Sequence, residues 1–397
     1  MINPSQGCSP GFDLNDPDTQ RDPYPSYRWL REQAPVYPIP GAPMWVLSRH
    51  EDILRVLRDH RTFASNMGID IPIMSVVMKD PPDHERLRKS LGRAFTPRQI
   101  QHLAPRIEAI AETLAAELGE QSEFVSAFAD LLPITVICEM LGVPTERRAA
   151  MKQWSRDALL ASFAAKGFGT PEQLAQATSG LEQLMAYLDQ VIDAHHAQPR
   201  DNLISALVAV QKEGLLSRDE VRYFCCLLLI AGHETTGNLI GSGMAILAEH
   251  SELWTRLQAQ PEQIPRFVEE TVRTRPPLQR IVRRTTCPVE IAGVRLPANA
   301  LLMLLPGSAN RDANQWANPD EFALDRDHAG HLGFGAGIHY CLGAPLARLE
   351  GRIAFEVLLR RFRTVRLDPD QPPLPIMGFA SGSLGWETLP LRLDRAG

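Results

Sequence analysis

Apolar side chains recur at helical spacing along most of the chain. In the stretch His50–Asp59, for example, Ile53, Leu54 and Leu57 fall on one face of a helix. Helical spacing also fits Tyr24–Gln33, the segment from Ser217 to about Glu249, and Ala344–Phe362. Short apolar runs predict strands at Met44–Ser48, Val289–Ile291, Val294–Leu296 and Leu301–Leu305. The pattern predicts a mainly α fold with small β-sheets.

Capping residues indicate where three of these helices begin. Thr96 and Thr170 each precede a proline, and Gln99 stands three residues after Thr96. Ser217 stands three residues before Glu220. A hydroxyl at the cap with Glu or Gln three residues later satisfies exposed N–H groups, and proline fits the first turn. Helices are therefore expected to start directly after each of these caps.

Length and composition favour one large domain. The chain has 397 residues, 44% of them apolar, and contains no linker-like tract or internal repeat. We expect a single domain over residues 1–397, with an irregular N-terminal segment at 1–22. The net charge of −6 and the scattered Lys and Arg residues argue against nucleic-acid binding. We expect a monomer.

No segment resembles a membrane span. The longest apolar runs, 224–231 and 300–306, are far shorter than the roughly 20 residues that cross a bilayer. The N-terminus lacks an apolar signal core. The six cysteines show no CxxC spacing, which fits a reducing compartment. These features predict a cytoplasmic protein.

A cysteine at the end of a glycine-rich loop is the strongest chemical signal. Cys341 is followed at once by the helical pattern that begins at Ala344. The start of a helix offers exposed N–H groups and a positive dipole end, which favour the thiolate that a metal binds. The alternative interpretation is a buried structural cysteine beside an ordinary glycine turn.

The loop Phe334-Gly335-Ala336-Gly337-Ile338-His339-Tyr340-Cys341-Leu342-Gly343 resembles the haem-binding loop of the cytochrome P450 family, F-G-x-G-x-H-x-C-x-G. The resemblance implies the P450 fold, with a long central helix over haem b and the cysteine loop beneath it. It also implies that Cys341 is the axial iron ligand. The other residues expected to contact the cofactor are Phe334, Gly335, Gly343 and Ala231. Glycines in the loop let the backbone turn sharply and a flat group approach it.

A polar turn lies inside the predicted central helix, at 231–236. An acid and a hydroxyl in an apolar helix are costly without partners, and one explanation is a helix opened locally for proton relay. The alternative is a threonine bonded back to a helical carbonyl beside a solvated glutamate. The turn is similar to the family's oxygen-activation sequence, which implies that Thr235 stabilises bound oxygen and that Glu234 helps to deliver protons. His233 has no second ligand at a metal-binding spacing and is interpreted as structural.

Four basic residues match the positions at which the family holds the haem propionates. His84 and Arg88 lie four residues apart, on one helical face. Arg283 follows a double proline, and His339 stands two residues before the cysteine. Carboxylates of a cofactor need such cations and hydrogen-bond donors. The resemblance therefore implies a propionate-binding set.

Two further features have family counterparts. Glu270 and Arg273 match the E-x-x-R pair, which implies a structural ion pair joined by an arginine from residues 310–327. The apolar stretch 66–78 shows no convincing helix period and resembles the loop over the substrate site. Candidate pocket residues are Ile69, Ile71, Ile73, Met74, Leu278, Ile281 and Phe379, although ordinary packing explains each of them as well.

Together these features predict a haem-thiolate monooxygenase of secondary metabolism, which hydroxylates or epoxidises a mostly hydrophobic small molecule with O2. No flavin or iron–sulfur motif is present. Electrons are therefore expected from NAD(P)H through a ferredoxin and its reductase, or a flavodoxin. Candidate docking cations are Arg348, Arg352, Lys89 and Arg93. The alternatives are a peroxygenase driven by hydrogen peroxide and a haem-thiolate protein that binds ligands without turnover; the intact Glu234–Thr235 pair argues against both.

Overall fold

Helices carry most of the chain, as the spacing of apolar residues predicts. The computed structural model describes residues 12–13, 16–164, 170–377 and 382–396. In these ranges the helices are α1 (Pro17–Arg21), α2 (Tyr24–Gln33), α3 (His50–Arg58), α4 (Ser75–Met78), α5 (Asp83–Ala94), α6 (Pro97–His102), α7 (Ala104–Glu117), α8 (Leu131–Met140), α9 (Arg148–Ala164), α10 (Pro171–Ala197), α11 (Leu203–Lys212), α12 (Arg218–Glu249), α13 (Ser251–Ala259), α14 (Ile264–Thr274), α15 (Pro306–Ala309) and α16 (Ala344–Arg361). Turns of 3-10 helix lie at Pro72–Met74, Thr145–Arg147, Pro261–Gln263 and Gly337–His339, and a π-helical turn lies at Val125–Ala129.

The strands are short and form small sheets. They are β1 (Val36–Pro38), β2 (Met44–Leu47), β3 (Phe63–Ala64), β4 (Gln121–Glu123), β5 (Ile281–Thr285), β6 (Val289–Ile291), β7 (Val294–Leu296), β8 (Leu301–Leu304), β9 (Phe362–Leu367), β10 (Leu374–Pro375), β11 (Trp386–Thr388) and β12 (Pro390–Arg395). A five-stranded sheet has the order β1-β2-β8-β5-β3 and is antiparallel except between β2 and β8. Its β5 strand carries Arg283, opposite Leu302. The remaining sheets are β4-β12-β9 and the two-stranded pairs β6-β7 and β10-β11.

Local sequence signals predicted most element boundaries. The capping boxes at Thr96, Thr170 and Ser217 are all formed, and α12 ends at Glu249 as the pattern predicts. The expectation of an irregular N-terminus is wrong for residues 17–21, which form α1. The reason is that Asp16 accepts a hydrogen bond from the Thr19 N–H, with proline in the first turn. The stretch 66–78 contains one 3-10 turn and α4, which are too short to produce a helical period.

The α12 helix runs through the main hydrophobic core. This core includes residues from Ile73 to Leu393, and α12 packs on α8, α9, α10, α14 and α16. Between Phe224 and Leu247 every residue of α12 is buried except Ala231, Gly232, Glu234 and Thr235. Those four residues form one turn, so only this part of the buried segment is open to a small molecule. None of the described helices has the length and apolar character that a membrane crossing requires.

A buried ion pair fixes α14 to the segment at 310–327. The side chains of Glu270 and Arg273 are fully buried, and Arg273 donates to both carboxylate oxygens at 2.7 and 2.8 Å. Arg273 also donates to the carbonyls of Asn310 and Pro319. The Nε atom of Arg326 lies 3.3 Å from Glu270 Oε1, so the additional arginine comes from the expected segment. A buried charge pair of this kind holds its two segments in one arrangement, because separating the partners would leave each charge buried without compensation.

Candidate active site

Two glycines shape the Cys341 loop. Gly335 and Gly337 have φ angles of +71° and +70°, and a Cβ at Gly337 would lie 2.2 Å from the Leu57 carbonyl oxygen. Both positions therefore require glycine. Gly343 differs, because its φ of −82° is ordinary and a Cβ there would meet Cys341 Sγ at 3.9 Å. The Cys341 N–H donates to the Phe334 carbonyl at 3.0 Å, which closes the loop.

Cys341 is solvent-accessible and lies just before α16. Desolvation of the sulfur raises the pKa of the Cys341 thiol, and the N–H groups of Gly343 and Ala344 and the cations Arg88 and Arg348 oppose that rise. The start of the helix thus supplies the donors that the sequence predicts, but they do not outweigh desolvation. A metal ion bound to the sulfur provides the further positive charge that a thiolate needs.

Four basic side chains converge beside this loop. The rings of His84 and His339 lie 4.0 Å apart between centroids. His84 is 2% exposed, and neither of its ring nitrogens has a hydrogen-bond partner; the same holds for Nε2 of His339. Arg283 is 6% exposed and donates to the carbonyl of Val282. Arg88 donates to the Tyr340 carbonyl at 2.8 Å. The fold therefore brings together all four residues of the predicted propionate-binding set.

The pKa values in this cluster show the cost of crowding buried cations. Burial lowers the pKa of His339 to about 3, and His84, Arg283 and Arg88 lower it further. Burial lowers the pKa of Arg283 to about 10, although the Asp80 carboxylate acts in the opposite direction. Buried donors without partners and crowded cations call for an anionic ligand. A flat group with two carboxylates and a metal for the sulfur, as in haem, fits these residues.

The polar turn of α12 is helical. The Thr235 hydroxyl donates to the Ala231 carbonyl at 2.7 Å, and α12 is continuous through Gly232. The local opening considered from the sequence is therefore not present in this structure, because the hydroxyl satisfies its donor within the helix. His233 has a structural role, with Nδ1 bonded to the Leu229 carbonyl at 2.7 Å.

Glu234 lines a side cavity of about 440 Å³ next to this turn. Its Oε1 atom accepts a hydrogen bond from Ser383 at 3.2 Å. Burial raises the pKa of Glu234, while Ser383 and Arg156 partly offset the rise. The cavity is also lined by Asp130 and Lys152, whose charged groups lie 2.6 Å apart. Neither Asp130 nor Lys152 was predicted from the sequence, because no motif connects the start of α8 or the α9 helix with α12.

The predicted pocket residues differ in their exposure. Ile69 and Leu278 are 39% and 41% exposed, whereas Ile73 is 5% exposed and packs in the core. Ile71, Met74 and Ile281 are partly buried. The turn Pro72–Met74 packs on α12, which places this stretch beside the central helix. Phe379 lies outside the described residues.

Known proteins resemble this chain along nearly its whole length. The cytochrome P450 family model matches residues 36–394. The erythromycin C-12 hydroxylase of Saccharopolyspora erythraea is 38% identical over 87% of this chain and 88% of the relative. The vitamin D(3) 25-hydroxylase of Pseudonocardia autotrophica is 38% identical over 90% of this chain and 88% of the relative. A solved cytochrome P450 from Chondromyces apiculatus superposes with a TM-score of 0.86 at 36% identity, covering 97% of this chain and 99% of that chain.

The fold, the cysteine loop and these matches define a haem-thiolate protein. The chain belongs to the cytochrome P450 family and is a monooxygenase of small molecules that uses haem and O2. The expected family, fold class and cofactor are thereby confirmed.

Removing one cation of the cluster tests the fit to an anionic cofactor. Arg283→Met should increase the rate of haem loss about tenfold, because a charge-assisted hydrogen bond is worth roughly 1.5–3 kcal/mol. The same substitution should leave the haem-free protein equally stable or more stable, since a crowded buried cation is gone. Haem transfer to apomyoglobin and chemical denaturation measure the two effects.

Arg295→Met is the control, because Arg295 is 92% exposed and should change neither quantity. A haem-free Arg283→Met protein that is clearly destabilised, with unchanged haem retention, would contradict a propionate-binding role.

Proposed function

We propose that the enzyme hydroxylates a large, hydrocarbon-rich molecule at the accessible turn of α12. The observation that carries the proposal is the solvent-accessible turn at Ala231 and Thr235 in an otherwise buried stretch of helix, with the apolar turn Pro72–Met74 packed on the same helix. The names of the relatives point the same way, since they specify hydroxylation of erythromycin, vitamin D(3) and 6-deoxyerythronolide B. Spectral titration against a library should find tightest binding among such compounds; preference for small polar ligands would contradict it.

Haem bound to Cys341 supplies the chemistry of oxygen activation, and the side chains around it control orientation and protons. The cluster of His84, Arg88, Arg283 and His339 would hold the carboxylates of the haem. The Thr235 hydroxyl bonds the Ala231 carbonyl and, once released from it, would donate a hydrogen bond to bound oxygen. Apolar side chains on α12 and the neighbouring turn exclude water, which keeps hydrogen bonds in the site strong.

Glu234 is suited to moving protons between the side cavity and the oxygen site. Its raised pKa keeps a larger fraction of the carboxyl protonated near neutral pH. The adjacent cavity contains the charged groups of Lys152 and Asp130, so water beside them provides a proton source. Thr235 lies next to Glu234 in the chain and on the same accessible turn. A proton can therefore pass from the cavity to the hydroxyl over a short path.

Substitutions of Thr235 and Glu234 should have different effects on O2 consumption and on its coupling to product formation. The Thr235→Ala variant should still consume O2 but release peroxide. The amount of product per NAD(P)H should fall about tenfold, because the hydroxyl that donates one hydrogen bond is lost. Glu234→Gln should slow O2 consumption itself, since protons arrive late. Thr235→Ser should restore coupling, because it retains the hydroxyl. Peroxide, product and O2 uptake are measured together in a reconstituted system.

Thr255→Ala is the matched control, because Thr255 also bonds back to a helical carbonyl, at 3.1 Å, on α13. Full coupling in Thr235→Ala, or unchanged O2 uptake in Glu234→Gln, would contradict the corresponding role.

We propose that electrons come from a ferredoxin-type partner at a basic groove beside the cysteine loop. The groove has a volume of about 730 Å³ and is lined by more arginines than acids; the arginines are Arg58, Arg266, Arg326 and Arg348, and the acids are Glu269 and Asp327. Three of the docking cations considered from the sequence have internal partners instead: Arg348 bonds Glu269, Arg352 bonds Glu356 and Arg93 bonds Glu213. Arg58 is exposed and lines the groove, so it is the strongest candidate, whereas Lys89 is exposed but does not line the groove.

Charge reversal tests this partner site. Arg58→Glu should raise the ferredoxin concentration needed for half-maximal turnover and weaken the dependence of turnover on ionic strength, because steering by opposite charges is lost. Turnover driven by a chemical reductant should not change. Arg200→Glu is the control, since Arg200 is exposed but does not line the groove. Equal effects of both substitutions would argue against this groove.

A further inference from the structure

Arg348 makes a concentrated set of contacts beneath the cysteine loop. It lies on α16, seven residues after Cys341. Its Nε and Nη2 atoms donate to the two carboxylate oxygens of Glu269, Nη2 at 2.9 Å, and its Nη1 atom donates to the Tyr340 hydroxyl at 3.0 Å. A guanidinium group that bonds a carboxylate in this two-pronged way is held in a fixed plane. Its position is thus determined by the fold and not by solvent.

The same guanidinium group contacts both ends of the loop. Its central carbon lies 4.4 Å from the centre of the Phe334 ring, at the start of the loop. Tyr340, at the other end, is the residue directly before the sulfur. Tyr340 is held twice, because its carbonyl accepts from Arg88 while its hydroxyl accepts from Arg348. Movement of the sulfur therefore requires that contacts to two arginines change.

Glu269 connects Arg348 and the cysteine loop to the α14 helix. It lies on α14 directly before Glu270, whose buried ion pair fixes the helix. Besides Arg348, Glu269 accepts a hydrogen bond from His331 Nε2 at 2.9 Å, and the Gly333 N–H donates to the other ring nitrogen at 3.2 Å. The neighbouring acids thus have separate tasks: one anchors the segment at 310–327 and the other anchors the cysteine loop.

We infer that Arg348, held by Glu269 and acting through Tyr340, is a positioning residue that fixes the sulfur of Cys341 for axial ligation. The inference rests on the haem-thiolate assignment. It differs from the docking role considered for Arg348, because all of its described contacts face the protein. A docking charge would act on the partner, whereas a positioning residue acts on the iron–sulfur bond even when no partner is present.

The iron–sulfur bond of the purified holoenzyme provides the test. Arg348→Gln should shift or broaden the Fe–S stretching band in resonance Raman spectra of the ferric protein. It should also accelerate conversion of the reduced carbonyl complex to its thiol-ligated form about tenfold, the effect of one lost charge-assisted hydrogen bond. Tyr340→Phe should produce the same change with no change in charge. The Arg348→Lys variant should only partly restore the Fe–S band and the stability of the carbonyl complex. An ammonium group cannot form a bidentate contact with Glu269 and also reach the tyrosine.

Arg352→Gln is the matched control, because it removes the same charge from the same helix and pairs with Glu356 outside the loop. It should leave both signals unchanged. Because Glu269 and Arg348 act as one unit, the double variant Glu269→Gln/Arg348→Gln should be no worse than either single variant. The inference fails if Arg348→Gln and Arg352→Gln give the same spectra, or if Tyr340→Phe matches the unmodified protein. An unmodified protein with a normal Fe–S band but no product would sink the proposed function alone.

Discussion

This site depends on one constraint: the charge of the Cys341 thiolate and the hydrogen-bond donors of the basic cluster both need partners of opposite charge. Desolvation opposes a thiolate at Cys341, and ring nitrogens of His84 and His339 have no hydrogen-bond partner beside the buried Arg283. Haem would meet both needs: its metal would stabilise the thiolate, and its two carboxylates would accept hydrogen bonds from the basic cluster proposed to bind them.

The surrounding fold is fixed by ion pairs on the side of the cysteine loop and is accessible on the side of α12. On the cysteine side, α14 presents two consecutive acids, and Glu270 and Glu269 fix the segment at 310–327 and the loop respectively. On the opposite side, α12 is buried except for one polar turn. The cysteine loop is therefore tied to α14 by ion pairs, and the proposed places for substrate and protons lie at the exposed turn of α12. This division suits an enzyme that must position a strong oxidant while admitting a bulky apolar molecule.

The features that could be predicted from the sequence are those determined by residues close to one another in the chain. The glycine turns of the loop, the capping boxes and the ends of α12 depend on residues within a few positions, and each was readable. The propionate-binding cluster was readable only through its resemblance to a family, because Arg283 and His84 are almost two hundred residues apart. The pairing of Glu269 with Arg348, 79 residues apart, and the cavity of Asp130, Lys152 and Glu234 arise from packing. The ion pair of Arg93 with Glu213 likewise arises from packing, whereas Arg352 and Glu356 lie four residues apart on α16, a spacing that the sequence itself shows.

The account depends most directly on sulfur at position 341 being the iron ligand. The decisive measurement is the absorption spectrum of the reduced carbon monoxide complex, for the unmodified protein and for Cys341→His. The account predicts the strongly red-shifted Soret band of a thiolate ligand in the first protein. In the variant the band should move to the shorter wavelength of a histidine-ligated haem, with haem still bound. A red-shifted band that persists in Cys341→His would contradict the account.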